Sequence, residues 1–201
     1  ASAAGLDQWS PTDLLTLALW QPDLFSHLAT VLNIIEKTGL WPDSLVKGFI
    51  ALIPKDPDDP EPVPTSLRPI TVLSAVYRLW ARVRFTLAMD AWQEKWAPEG
   101  VWGCRRKRGS EGLFIGVALD LEAASKDSKV GGVSYDFSKA FDFIARKLMF
   151  KVLRKRGLHE RIVKPLESMY NQLERCFRLH GNLGDFFETH GGILQGCALS
   201  M

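Results

Sequence analysis

The sequence predicts an α+β fold, with helices around a small sheet that ends in an antiparallel hairpin. Three observations point there. Apolar residues recur at helical spacing in several long segments. Short apolar runs such as Phe49–Ile53 lie between turn-forming residues. Gly181-Asn182-Leu183-Gly184 separates two strand-like stretches, which is a hairpin signature.

The elements follow in order. Ser10-Pro11-Thr12-Asp13 reads as an N-cap, a proline at the first helical position and an acid in the first turn. Leu14, Leu15, Ala18 and Leu19 continue that helix. A second helix spans about Asp23 to Lys37, with Phe25, Leu28, Leu32 and Ile35 as its apolar stripe and Gly39 as its stop. Phe49–Ile53 is a strand closed by Pro54, and the proline- and acid-rich stretch Lys55–Pro64 is a loop. Thr65–Leu73 returns as a second strand. A long helix then runs from Ser74 to Trp92, with Val76, Leu79, Val83 and Leu87 on its apolar face. Pro98–Ser110 is a turn region rich in glycine and arginine. Leu113–Ser125 is helix, Lys126–Lys129 a polar loop and Gly131–Asp136 a strand. Ile144–Arg156 is an amphipathic helix ended by Gly157. Glu160–Glu174 is another, in which Pro165 is tolerable only near the start. Arg175–His180 and Asp185–Thr189 flank the hairpin turn.

The 201 residues suit one domain, or one and part of another. At 46% hydrophobic and 24% charged, they can build a core and are unlike a disordered chain. The apolar runs are far shorter than a membrane span, and no charged segment with an apolar core opens the sequence. No membrane partner and no signal peptide are therefore expected. Cys104, Cys176 and Cys197 are an odd, widely spaced set that fits a reducing, intracellular compartment. The net charge of +2 hides an asymmetry. Residues 1–66 hold three basic and nine acidic side chains, net −6, and residues 67–201 are net +8. A basic later region is compatible with a polyanionic partner, although solvated helix faces are also often basic. The seven tryptophans all lie at or before Trp102 and are read mostly as packing residues.

Several chemistries lack a signature. There is no phosphate-binding Gly-x-x-x-x-Gly-Lys-Ser/Thr loop, no Gly-x-Ser-x-Gly elbow and no Cys-x-x-Cys pair. The four histidines show no metal-ligand spacing. Three segments remain. In Val133-Ser134-Tyr135-Asp136-Phe137-Ser138-Lys139-Ala140-Phe141-Asp142, an acid ends a predicted strand, where a rigidly held carboxylate can bind a hard cation. A helix-capping role is the structural counterpart, and it is the better account of Asp142. Gly191-Gly192-Ile193-Leu194-Gln195-Gly196-Cys197-Ala198-Leu199-Ser200 pairs glycines, which permit close backbone approach, with a donor–acceptor amide. An ordinary loop after a hairpin is the plainer account of it. Gly103-Cys104-Arg105-Arg106-Lys107-Arg108-Gly109-Ser110 sets four cations between glycines, suited to a triphosphate or a nucleic-acid backbone, or simply a solvated turn. Arg154-Lys155-Arg156 ends a helix and complements its dipole.

Together and in this order, the segments resemble a reverse transcriptase of the non-LTR retrotransposon (LINE-like) type, with group II intron enzymes as more distant relatives. Gly5-Leu6-Asp7-Gln8-Trp9 is similar to that family's entry segment. Ala51-Leu52-Ile53-Pro54-Lys55 and Leu67-Arg68-Pro69-Ile70-Thr71-Val72-Leu73-Ser74 are similar to its fingers motif. Gly103-Cys104-Arg105 resembles the next block, residues 133–142 the first palm motif, and residues 192–200 the Gln-Gly motif.

The resemblance implies a polymerase right hand. Residues 1–130 would be an N-terminal extension and fingers, and residues 131–201 the first half of a palm with an incomplete sheet and packed helices. It also implies site roles. Asp136 matches the first metal-binding aspartate, joined by the carbonyl of Phe137. Phe141 matches the gate beside the sugar of an incoming deoxynucleotide. Arg105 and Arg106 match triphosphate-holding residues, and Gln195 and Gly196 would line the nucleotide pocket. Arg68, with Lys107 and Arg108, would meet template or nucleic acid. The implied reaction is RNA-directed DNA polymerisation. A DNA primer 3′-hydroxyl, on an RNA template, attacks the α-phosphate of a deoxynucleoside triphosphate, with two magnesium ions (or manganese) stabilising the attacking and leaving oxygens. A nuclear setting is implied in the same way. Cys104, Ala198 and Gln8 depart from the usual phenylalanine, proline and glycine of the family pattern. The family's second palm motif, an aromatic residue followed by x-Asp-Asp, does not occur in the 201 residues. The expectation is that these residues alone do not polymerise. The alternative is a non-catalytic nucleic-acid-binding remnant of a retroelement.

Overall fold

The computed structural model describes residues 3–61, 63–125 and 131–200. It is a mixed α+β fold with one small open sheet. The first helix, α1 (Pro11–Trp20), starts as the sequence suggests. Ser10 accepts from the Asp13 backbone, and Asp13 accepts from the Ser10 N–H at 2.8 Å, a reciprocal capping box. Helix α2 (Pro22–Thr38) ends at Gly39, in a left-handed cap.

Strand β1 (Lys47–Pro54) pairs antiparallel with β2 (Leu67–Val72), Phe49 opposite Val72 and Ile53 opposite Arg68. Helix α3 (Ala75–Arg84) follows, capped by Ser74, and runs through a π turn at Phe85–Met89 into α4 (Asp90–Glu94). Helices α5 (Ser110–Ser125), α6 (Ala140–Phe143), α7 (Arg146–Lys155) and α8 (Glu160–Gln172) come next. Strand β3 (Glu174–Leu179) then returns parallel to β1. It turns tightly through His180 and Gly181 into β4 (Asn182–Leu183), and β5 (Phe187–Glu188) pairs with the start of β3. The sheet order is β2-β1-β3-β4. The hairpin is therefore present, with its turn one residue earlier than the glycine spacing suggests.

The core lies where α2, α3, α7 and α8 meet. Trp41 meets Tyr77 and Trp80 edge-on, and the latter two are tilted to each other, with ring centroids 5.3 to 5.8 Å apart. Their polar edges are satisfied. Trp41 Nε1 donates to the Pro165 carbonyl at 2.8 Å and Trp80 Nε1 to Glu36 at 2.8 Å. Arg84 also donates to the buried Glu36 carboxylate, so α2 and α3 share an internal ion pair. Ile162, Val163, Leu166 and Met169 of α8 close the other side.

Two sequence expectations are corrected, the apolar face of α3 and the strand at Gly131–Asp136. The buried side of α3 carries Ala75, Tyr77, Trp80 and Ala81, whereas Val83 and Leu87 are exposed. The two large aromatic rings take the core position, and Leu79 and Val83 turn to a groove shared with Phe25 and Leu28. The tryptophans are mostly packing residues, as expected: Trp41 and Trp80 are core, Trp92, Trp96 and Trp102 are half-buried, and Trp9 and Trp20 are exposed. Gly131–Asp136 is not a strand. Val133, Tyr135 and Phe137 alternate as a strand should, yet they are 78%, 84% and 80% exposed. Both edges of β1 are already taken by β2 and β3, and the segment has no strand partner among the described residues. The expected loop at Lys126–Lys129 lies outside the described residues.

Candidate functional site

Three segments distant in sequence are joined through the Gln-Gly segment, alongside the edge strand β2. The loop before α7 is joined to the Gln-Gly segment by the main chain. Ile193 N–H donates to the Phe141 carbonyl at 2.7 Å, and Gly192 N–H to the Ile144 carbonyl at 3.0 Å. The Thr71 N–H of β2 donates to the Gln195 carbonyl at 3.1 Å. Gly192 has φ +73° and no room for a side chain, because a Cβ would sit 2.9 Å from the Phe141 and Asp142 carbonyls. Gly196 is similarly left-handed, at φ +97°, against Ile70. Thus the Gln-Gly segment is held to Phe141 at Ile193 and to β2 at Gln195 and Gly196. Gln195 is half-buried, and Gly196 and Phe141 are exposed.

The entry segment reaches the same neighbourhood. Asp7 accepts from the Ala75 N–H at 2.7 Å and caps α3 beside Ser74. Arg68 stands exposed on β2, opposite Ile53. Asp136 and Phe137 lie in exposed irregular chain. Asp142 sits inside the short α6 rather than capping α7, whose N-cap is Ala145. Among the described residues, no three acids, histidines or cysteines gather at metal-binding distance.

The basic segment is built differently from its sequence expectation. Arg105 is buried and its fork is filled. Nε and Nη2 donate to the two Glu94 oxygens at 3.0 and 2.6 Å, and Nη1 donates to the carbonyls of Pro98 and Val101 at 2.9 and 3.2 Å. The bidentate bond raises the Arg105 pKa and lowers that of Glu94. Arg106 and Lys107 remain exposed, while Arg108 lies over the Trp102 ring at 5.3 Å and donates to the Glu99 carbonyl. Arg105 thus ties the turn together, and its neighbours carry the accessible charge.

Sequence reading missed Arg146 and Arg175. Buried Arg146 donates to the carbonyls of Gly192 at 2.7 Å, Tyr170 at 2.9 Å and Gly191 at 2.9 Å, to the Thr189 carbonyl, and to Thr189 Oγ1 at 3.0 Å. It fastens the Gln-Gly segment to α7 and α8. Its signal was present: a cation at the first position of a helix opposes the dipole, and so needs another reason to be there. Arg175 donates to Thr71 Oγ1 at 3.2 Å and to Thr189 Oγ1 at 2.7 Å. Desolvation lowers the pKa of both arginines. No protein-family model matches the chain.

Proposed function

We propose that these residues are the fingers and first half of the palm of an RNA-directed DNA polymerase of the non-LTR retrotransposon type. Residues 1–130 form the extension and fingers, and residues 131–201 the start of the palm. One observation carries the reading: the segments that resemble separate motifs of that family are joined to one another by main-chain hydrogen bonds, Phe141 to Ile193 and Thr71 to Gln195.

The working parts follow from the resemblance and from accessibility. Phe141 stands beside the incoming sugar and excludes a 2′-hydroxyl. Gln195 and Gly196 line the nucleotide pocket, where glycine lets backbone approach the base. Arg106, Lys107 and Arg108 meet phosphates of nucleotide or nucleic acid, and Arg105 holds that turn in place. Arg68 faces the template. Asp136 and the Phe137 carbonyl are hard oxygen donors of the kind magnesium takes, one or two carboxylates at a time. The ion, or manganese in its place, supplies charge stabilisation at the reacting oxygens. The substrates are an RNA template, a DNA primer and deoxynucleoside triphosphates, and the setting is nuclear.

The 201 residues contain no aromatic-x-Asp-Asp, so by themselves they are expected not to polymerise. The test is primer extension by the protein of the full native reading frame. Asp136→Ala is expected to lower incorporation by about a thousandfold or more, as loss of a transition-state contact does. Incorporation that survives this change would overturn the assignment. The filled fork of Arg105 favours a second reading, a non-catalytic nucleic-acid-binding remnant. Salt-sensitive RNA binding indifferent to Asp136→Ala, with no incorporation by the full frame, would select it.

A further inference from the structure

A cavity of about 480 Å³ opens between the start of α7, the end of α8 and the segment after β5. Arg146, Lys147, Asn171, Thr189 and His190 line it, and its described lining contains no carboxylate. Its size is that of a small-molecule site.

The groups behind it are short of negative charge. Arg146 is neutralised only by carbonyl and hydroxyl dipoles; no ion pair reaches it among the described residues. Arg175 shares the Thr189 hydroxyl with it, and Arg175 Nε is buried with no hydrogen-bond acceptor among the described residues. Burial first, and then the neighbouring Arg146 charge, push the Arg175 pKa down, against the opposing pull of Asp142 and Tyr170. Thr189 Oγ1 already accepts from both arginines, so its proton is what it has left to offer. Lys147 and the Asn171 amide add donors at the rim. All five Arg146 N–H groups are already used, so its charge acts on the cavity through space, and the direct donors left for an oxyanion are the Thr189 hydroxyl, Lys147 and the Asn171 amide.

We propose that this cavity is a phosphate-binding site, distinct from the Phe141–Gln195 junction, which takes the oxyanion of a phosphate ester. The phosphate comes either from a free nucleotide-sized anion or from a polynucleotide backbone. The assignment goes beyond the polymerase reading and does not need it, because binding is measured without any polymerisation.

The experiment titrates the chain with inorganic phosphate by calorimetry and with a labelled single-stranded oligonucleotide by fluorescence anisotropy. The variants are Lys147→Gln and, as a control outside the cavity, the exposed Lys164→Gln. Phosphate is expected to bind the parent chain. Lys147→Gln should weaken it about fivefold with the near-ultraviolet dichroism unchanged, and Lys164→Gln should leave it unaltered. Should Lys147→Gln lose its folded spectrum, the exposed His190→Gln carries the same test. Oligonucleotide binding that competes with phosphate and weakens equally in the variant identifies a polynucleotide backbone as the source. Oligonucleotide binding indifferent to the variant, with phosphate binding still sensitive, identifies a free anion. No phosphate binding by the parent chain, equal binding by Lys147→Gln, or equal weakening by Lys164→Gln would overturn the proposal.

Discussion

Helices α5 and α8 are similar in length and both rich in apolar residues, yet they end in opposite environments. Helix α8 buries Ile162, Val163, Leu166, Met169 and Tyr170. Helix α5 buries none of its residues, and Leu113, Phe114, Ile115, Val117, Leu119 and Leu121 are all exposed. The difference lies in arrangement. The apolar residues of α8 gather on one face, opposite Glu160, Lys164 and Gln172, and that face meets α2 and α7. Those of α5 are spread around the helix, so no single neighbour can cover them. The segment 131–137 makes the same point. Its strand alternation is clear, but a strand needs an edge to pair with. Apolar spacing reports which face seeks burial; it does not supply the partner.

The comparison can be broken from its strongest side first. Trp80→Ala should destabilise the packed region by about 3–5 kcal/mol, since it removes a fully buried ring and the Glu36 hydrogen bond together. Urea denaturation followed by far-ultraviolet dichroism measures it. A cost no greater than that of a surface change would mean that α2 and α3 do not form the core.

The Arg105–Glu94 clamp joins the two regions and should respond to acid. The hydrogen bond from Arg105 holds the Glu94 carboxyl below its ordinary pKa. A depressed carboxylate stabilises the folded turn above its unfolded pKa, and that contribution disappears as pH falls through the folded value. An NMR titration of the Arg105 Nε–H should therefore show the clamp releasing below the ordinary carboxylate range. Glu94→Gln should abolish the titration. A signal that does not move with acid would contradict the clamp.

The smallest effect belongs to the exposed helix. Phe114→Ser on α5 should change the stability of the packed region by less than about 0.5 kcal/mol. It should also improve solubility, because it removes exposed apolar surface. A loss of several kcal/mol would show that α5 is covered in solution.

Local chemistry was the legible part of the fold. The Ser10 cap, the Gly39 and Gly157 stops, β1 and the late hairpin follow from side chains within a few residues of one another. Long-range competition was not legible. The apolar stripe of α3 lost the core to Tyr77 and Trp80, because large rings bury more surface than Val83 and Leu87. Of the candidate site, the main-chain bond between Phe141 and Ile193 could not be read from the sequence, and the left-handed Gly192 explains how it is reached. Arg146 left one mark, a cation at the first position of a helix, whereas Arg175 left none, since a basic residue in a basic region looks like solvated surface. Their acceptors are backbone carbonyls and hydroxyls, which leave no mark in a sequence.

The most direct measurement is to sequence the native reading frame past the codon for Met201. The account predicts an aromatic-x-Asp-Asp motif shortly downstream, supplying the second carboxylate pair that a polymerase palm requires. A stop codon directly after Met201 would contradict it and leave a nucleic-acid-binding remnant as the better reading.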